Sequence, residues 1–173
     1  MKKSMPVLSM LLVITAAFLV QTPARAFAGT AEDVQQAMQL LKSKASALGA
    51  PSVKGDDQVA GKTVPVLYFG TTPINNDFTV VDEVKKEKGG TATFFVKSGD
   101  EFVRVSTNVQ KADGSRAIGT LLDPKGKVIE AIAQDKSYFG EANILGKDYV
   151  TGYEPIHNAS NTIIGIYYVG YLK

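Results

Sequence analysis

The sequence predicts an α+β domain in which helices pack on an antiparallel sheet. Two hairpins predict the sheet: residues 91–96 pair with 102–109, and residues 148–156 pair with 162–172, each pair being joined by a short polar turn. A long segment with helical periodicity precedes both hairpins. The last strand is apolar on both of its faces. We therefore expect both faces of the sheet to be covered.

The first predicted helix covers residues 30–49. Thr30 suits the N-cap position, acidic residues follow in the first turn, and Gly49 ends the helix before Pro51. We expect its apolar stripe to pack on the sheet; a partner-binding helix, or a homodimer formed through this helix, is the alternative. The stripe consists of Val34, Ala37, Met38, Leu41, Ala45 and Leu48.

The segments between these elements are shorter and more polar. We predict a loop for residues 51–62, an edge strand or irregular piece for 64–69 because it contains a proline, and short helices for 78–88 and 128–134. Residues 137–147 have the glycine spacing of a connector. With the long helix on one face of the sheet, this connector is expected to cover the other face and to enclose a ligand pocket.

Residues 1–28 have the pattern of a secretory signal peptide. Lys2 and Lys3 precede an apolar run over residues 5–20, and small residues flank two possible cleavage points, after Ala26 or after Ala28. The apolar run is shorter than the roughly 20 residues that span a bilayer. We expect residues 29–173 to form one domain that is exported to a bacterial periplasm; an uncleaved membrane anchor is the alternative.

The composition excludes several classes of function. The chain of 173 residues contains no cysteine and one histidine, which excludes disulfides, thiolate-held metal clusters and covalent c-type haem, and makes a Ser-His-Asp triad or a histidine metal site improbable. Basic and acidic residues number 19 and 17, without a basic patch that would bind nucleic acid. No pair of carboxylates is placed for acid–base chemistry. We expect a protein that is not an enzyme and holds no metal or cofactor.

Arg104 is the strongest candidate for a functional side chain. It lies mid-strand between two valines, and a partly buried guanidinium is costly to leave unpaired. Its partner is either a ligand carboxylate, bound through two parallel hydrogen bonds, or an internal carboxylate. The candidate internal partners are Asp82, Glu83 and Glu101.

Three separated blocks of the sequence resemble one known family. The blocks are VDEVKKEKGGTATFFVKSGDEFVRVSTNVQKADGSRAIGT, YFGEANILGKDYVTGYEPI and IIGIYYVGYL. They resemble the single-Cache sensor domain, in the subtype described by a fused Cache-three/Cache-two profile, which occurs in bacterial chemoreceptors and histidine kinases. The resemblance implies a PAS-like fold, with a long N-terminal helix and a curved antiparallel sheet whose pocket binds small molecules, often short organic acids. Family members usually continue into a transmembrane helix and a signalling module. The sequence here stops at Lys173, so we expect a separate receptor or kinase to receive the signal, for example in chemotaxis.

The predicted ligand is therefore a short organic carboxylate held by Arg104. Strict alternation places Ser106 on the same face, where it would add a hydroxyl; Thr107 points to the opposite face and would contribute only if the strand twists or bulges. Tyr138, Tyr149 and Tyr153 would each add an apolar wall and one hydroxyl, although core packing is an equally good account of any one of them. The alternatives are a ligand-free structural or interaction module, and a binder of an amine or amino acid.

Overall fold

The computed structural model describes residues 29–173, and the predicted signal peptide lies outside the described residues. The described part of the chain has three helices and eight strands. The helices are α1 (Ala31–Leu48), α2 (Thr79–Lys88) and α3 (Lys127–Ala133). The strands are β1 (Pro51–Val59), β2 (Lys62–Phe69), β3 (Thr72–Pro73), β4 (Thr91–Ser98), β5 (Glu101–Thr107), β6 (Tyr138–Ile144), β7 (Lys147–His157) and β8 (Ile163–Leu172).

Helix α1 begins and ends where the sequence predicts. The Thr30 hydroxyl accepts a hydrogen bond from the Asp33 backbone N–H, and the Asp33 carboxylate accepts one from the Thr30 backbone N–H, forming a capping box. Gly49 ends the helix with a φ of 128°, a value that residues with a side chain rarely adopt. Five residues of the predicted stripe are buried, from Val34 to Ala45, while Leu48 is exposed. The stripe therefore packs within this domain.

The strands form two antiparallel sheets. The larger has five strands in the order β5-β4-β8-β7-β6, so the two predicted hairpins lie side by side in one sheet, as expected. The smaller has three strands in the order β1-β2-β3. This α+β architecture with antiparallel sheets is the predicted fold class and is consistent with a PAS-like fold.

A separate hydrophobic core lies on each face of the five-stranded sheet, which confirms that both faces are covered. On one face, side chains of α1, α2 and the three-stranded sheet pack around Phe94 and Val169. On the other face, α3 and residues 108–126, which we name the cover segment, pack around Phe95 and Tyr168. The second face carries Arg104, because Arg104 is paired with Phe95 across β4 and β5.

Two segments predicted as irregular are strands. Residues 51–62 contain β1, which lacks an apolar alternation because six of its nine residues are exposed; its pairing with β2 defines it. Residues 137–147 contain β6, which pairs with β7 along its whole length. The predicted connector is therefore the edge of the sheet, and the cover segment and α3 lie over the face that it was expected to cover.

Strand β2 was predicted as an edge strand or irregular piece, and it lies instead between two strands. Pro65 is tolerated because β3 is only two residues long and pairs with Tyr68 and Phe69, beyond the proline. The Asn75 side chain takes the place of a strand beside Pro65. Its Nδ2 donates to the Pro65 carbonyl at 3.1 Å, and its Oδ1 accepts from the Leu67 N–H at 3.1 Å.

Candidate functional site

A β-bulge in β5 decides which side chains share a face with Arg104. Arg104 pairs with Phe95 and Ser106 pairs with Phe94, so Val105 is the extra residue between two consecutive positions of β4. Ser106 consequently leaves the Arg104 face, and its hydroxyl donates to the Asp77 carbonyl in the turn before α2. The placement of Ser106 beside Arg104 was therefore wrong. Thr107 lies on the same face as Arg104 because of this bulge. A twist or bulge of the strand was the condition that the sequence analysis set for a contribution from Thr107.

Paired residues form a row across the five-stranded sheet on this face. Tyr138 pairs with Tyr153, Tyr153 with Tyr168, Tyr168 with Thr93, and Thr93 with Thr107. The ring centroids of Tyr153 and Tyr168 are 4.9 Å apart, and those of Tyr138 and Tyr153 are 6.3 Å apart. The Thr93 and Thr107 hydroxyls are hydrogen-bonded at 2.6 Å. The row is aromatic at the β6 edge and closes with a buried hydroxyl pair at the β5 edge.

A cavity of about 360 Å³ lies between the β6 end of this face and the part of the chain that covers it. This volume is within the range of small-molecule sites. Arg104, Tyr138 and Tyr153 line it. Of the remaining predicted site residues, Tyr149 is buried in the same core without lining the cavity, Thr107 lies beyond the tyrosines, and Ser106 faces away.

Most of the remaining cavity wall was not predicted. Half of the remaining lining residues are aliphatic, and exposed charged residues lie at the opening. The aliphatic residues are Leu121, Leu122, Val128, Ala142, Ile144 and Leu145, and the charged ones are Asp123, Lys125, Lys127 and Glu141. In the sequence they lie in a polar turn, a short helix and a glycine-containing segment, so only their tertiary arrangement brings them together.

Arg104 is buried and has no acidic partner among the described residues. Its side chain is 3% exposed. Nη1 donates to the Thr120 hydroxyl at 2.7 Å, the guanidinium carbon lies 4.9 Å from the centre of the Phe95 ring, and Nε has no hydrogen-bond partner. Burial lowers the pKa of Arg104, and the neighbouring tyrosines oppose this only in part. The group remains charged, because an arginine pKa lies far above neutral pH.

The internal carboxylates considered for Arg104 have other surroundings. Asp82 forms a two-point ion pair with Arg116, at 2.8 and 2.7 Å. Glu83 pairs with Lys44 at 2.8 Å. Glu101, at the start of β5, has an exposed side chain. The internal salt bridge is thus not formed, and Arg104 presents an uncompensated positive charge to the cavity.

The buried tyrosines keep this face neutral apart from Arg104. Burial is the main cause that raises the pKa of Tyr153 and of Tyr168 well above the usual value, and the positive charge of Arg104 opposes it. The Tyr168 hydroxyl is hydrogen-bonded to the Thr91 hydroxyl at 3.1 Å. Both tyrosines are therefore neutral at physiological pH and offer hydroxyl groups and ring faces, not charge.

Two further observations concern the described residues as a whole. Within residues 29–173, no three histidine, cysteine or acidic side chains are grouped so that they would hold a metal ion. In the same part of the chain, no helix has the length and hydrophobicity needed to cross a membrane. His157, the last residue of β7, lies with its Nε2 at 2.7 Å from an Asp135 carboxylate oxygen.

An antiparallel sheet that carries a cavity on one face, with a long helix packed on the other, is consistent with the PAS-like class of folds. Comparison with protein families identifies the particular one. The sequence profile of the Cache 3/Cache 2 fusion domain matches residues 15–173, and the chain belongs to that family. Cache domains are extracellular modules that sense small molecules and act with receptors or kinases. None of the curated proteins compared with the chain matches it.

Proposed function

We propose that this protein binds a small organic carboxylate in the cavity beneath the cover segment, with Arg104 binding the carboxylate group. The observation that carries the proposal is the buried guanidinium of Arg104, which lines the cavity, has no acidic partner in residues 29–173 and leaves Nε unpaired. A buried arginine charge is stabilised best by a planar anion that accepts two hydrogen bonds. The ligand supplies the missing partner.

A second candidate ligand is an amino acid. Asp123 and Glu141 lie at the cavity opening and would face an ammonium group, while Arg104 would take the carboxylate. A simple amine is disfavoured, because the nearest charge inside the cavity is positive. A ligand-free structural module is disfavoured as well, since it would leave the buried charge of Arg104 without an anionic partner in residues 29–173.

The test combines ligand screening with two variants of Arg104. Thermal-shift measurements on the full chain against organic acids, amino acids and amines should show stabilisation by acids, because a ligand of the folded state raises its stability. Arg104→Ala should abolish the shift by the acid so found. Arg104→Lys should weaken binding, since an ammonium keeps the charge and loses the two-point geometry. Stabilisation by the acid that persists in Arg104→Ala would refute the proposal.

We further propose that the protein acts in a bacterial periplasm after cleavage of the leader behind Ala26 or Ala28, and that the liganded state is recognised by a separate receptor or kinase. The pattern of the leader supports export. Mass spectrometry of the protein purified from its source should find an N-terminus at Phe27 or Gly29. Recovery of intact Met1 in a membrane fraction would show that the leader is retained as an anchor. A homodimer through α1 stays a prediction.

A further inference from the structure

The residues that line the cavity indicate which kind of carboxylate the cavity favours. Of the fifteen residues that line the cavity, which include Arg104, six are aliphatic: Leu121, Leu122, Val128, Ala142, Ile144 and Leu145. A small polar acid such as acetate would leave these side chains facing water. An acid with a hydrocarbon tail would bury its tail against them, and such burial is favourable in proportion to the area removed from water.

The charges of the lining favour one negative charge on the ligand. Three lining residues are basic (Arg104, Lys125 and Lys127) and two are acidic (Asp123 and Glu141), which leaves a net charge of +1. The basic and acidic residues at the opening balance each other, so the excess charge is that of Arg104. A second carboxylate would lie either against the aliphatic side chains, which is unfavourable, or at the opening, where it would compete with Asp123 and Glu141 for Lys125 and Lys127.

Leu145 occupies an unusual position at the opening. Ile144 pairs with Lys147, so Leu145 and Gly146 form a two-residue turn between β6 and β7, with φ values of 53° and 86°. Turns of this kind favour Asn, Asp or Gly at both positions, because φ is positive. A leucine is uncommon there. Its side chain is 49% exposed and lines the cavity, so it extends the aliphatic wall outwards from Ile144.

We infer that the ligand is a monocarboxylate with an aliphatic tail of about four to six carbons, and that Leu145 sets the tail length that is bound best. The inference rests on the proposed function, since the carboxylate is placed on Arg104. The volume of about 360 Å³ accommodates a tail of this length, and burial of each methylene against the aliphatic side chains is favourable. Leu145 contacts the distal end of the tail, where each added methylene leaves water.

Isothermal titration calorimetry on the full chain tests the inference with named probes. Propanoate, butanoate, pentanoate and hexanoate vary the tail, succinate adds a second charge, and hexan-1-ol removes the charge. We expect the affinity to rise about fourfold for each added methylene that is buried. Succinate and hexan-1-ol should each bind at least about tenfold more weakly than hexanoate, because one places a charge on the aliphatic wall and the other leaves Arg104 unpaired.

Two variants test whether Leu145, in the turn between β6 and β7, sets the preference for acids with longer tails. Leu145→Asn suits the positive φ of this position, so the turn is retained while the end of the aliphatic wall is removed. The ratio of hexanoate affinity to propanoate affinity should fall about fourfold or more. Leu172→Asn changes another exposed leucine, 56% exposed and outside the lining of this cavity, and should leave that ratio unchanged.

The outcomes separate this inference from the proposed function. Equal affinity along the series, tighter binding of succinate than of hexanoate, or an unchanged ratio in Leu145→Asn would overturn the inference and leave carboxylate binding intact. Binding of none of the acids, or hexan-1-ol binding as tightly as hexanoate, would overturn the role of Arg104 and the inference with it. A chain-length dependence that Leu145→Asn removes and Leu172→Asn retains would support both.

Discussion

Two arginines of this chain show how differently one side chain can be used. Arg116 is half-exposed, forms a two-point ion pair with Asp82 and lies 4.4 Å from the centre of the Phe78 ring. Arg104 is buried, makes one hydrogen bond to a hydroxyl and leaves Nε unpaired. The first joins the cover segment to α2 and stabilises the fold. The second is a buried charge without an anionic partner among the described residues, and it is suited to binding an anion.

This contrast predicts opposite effects of the same substitution. Arg104→Met should raise the free energy of unfolding of the unliganded protein by about 1–3 kcal/mol, because it removes a buried charge and an unpaired donor. Thr120 stays satisfied in the variant, since its hydroxyl still donates to the Ala117 carbonyl at 2.7 Å. Arg116→Met should lower the free energy of unfolding by about 1 kcal/mol.

Urea denaturation of both variants beside the parent protein measures the two changes. A large loss of stability in Arg104→Met would mean that the guanidinium has a structural partner, and would argue against its role in binding.

The sequence identified Arg104 because a charge between two valines is conspicuous in a strand pattern. It misplaced Ser106, since alternation is interrupted by a bulge and nothing in the residues 103–107 distinguishes a bulge from a regular strand. It also missed Leu121, Lys125 and Val128, whose roles in the cavity depend on how the cover segment folds back on the sheet.

At the scale of elements, the segments with strong patterns were predicted correctly and those without them were not. Helix α1 has a capping signal at one end, glycine at the other and an apolar stripe between them. Strand β1 has exposed side chains along most of its length, and β6 lies at the sheet edge, where every second side chain faces solvent. Such strands are specified by their pairing partners and not by their own residues.

The stripe of α1 gives a prediction at this scale. Leu41 is fully buried in the core between α1 and the sheet, so Leu41→Ala should lower the free energy of unfolding by about 2–5 kcal/mol. Leu48, on the same helix and 38% exposed, provides the control: Leu48→Ala should change stability by no more than about 0.5 kcal/mol. Chemical denaturation measures both. Equal small effects would mean that the helix contacts the sheet loosely, and would favour a partner-binding role for its stripe.

At the scale of the whole molecule, buried tyrosines connect the two cores through the shared sheet. Burial raises the pKa of Tyr167, on the α1 side, and of Tyr153 and Tyr168, on the cavity side. It also raises the pKa of Tyr171 to about 12, and the Tyr171 hydroxyl donates to the Lys88 carbonyl at 2.9 Å. All four hydroxyls are held neutral by the fold.

These raised pKa values predict that the protein loses stability at alkaline pH. A tyrosine of the unfolded chain ionises near pH 10, whereas its folded counterpart keeps the proton, so the unfolded state binds fewer protons above that pH. The contribution of each buried tyrosine to the free energy of unfolding is fully present below pH 10 and is lost as the pH rises towards 12. The loss is about 1.4 kcal/mol per pH unit for each tyrosine that stays protonated in the folded state. Urea denaturation between pH 8 and pH 11 should show this decline, and Tyr171→Phe should make it shallower. A stability that stays constant up to pH 11 would contradict the account.

The bulge at Val105 has a consequence for comparing relatives of this domain. The pairing on either side of it is fixed by β4, so the faces of Arg104 and Thr107 follow from the register of the neighbouring strand and not from the number of residues between them. A relative that lacks the extra residue would present the same two side chains to the same face of its sheet, with one position fewer in its sequence. An alignment with such a relative would need a gap at this point, because an ungapped alignment would match a residue on the Arg104 face with one on the face that packs against α1 and α2.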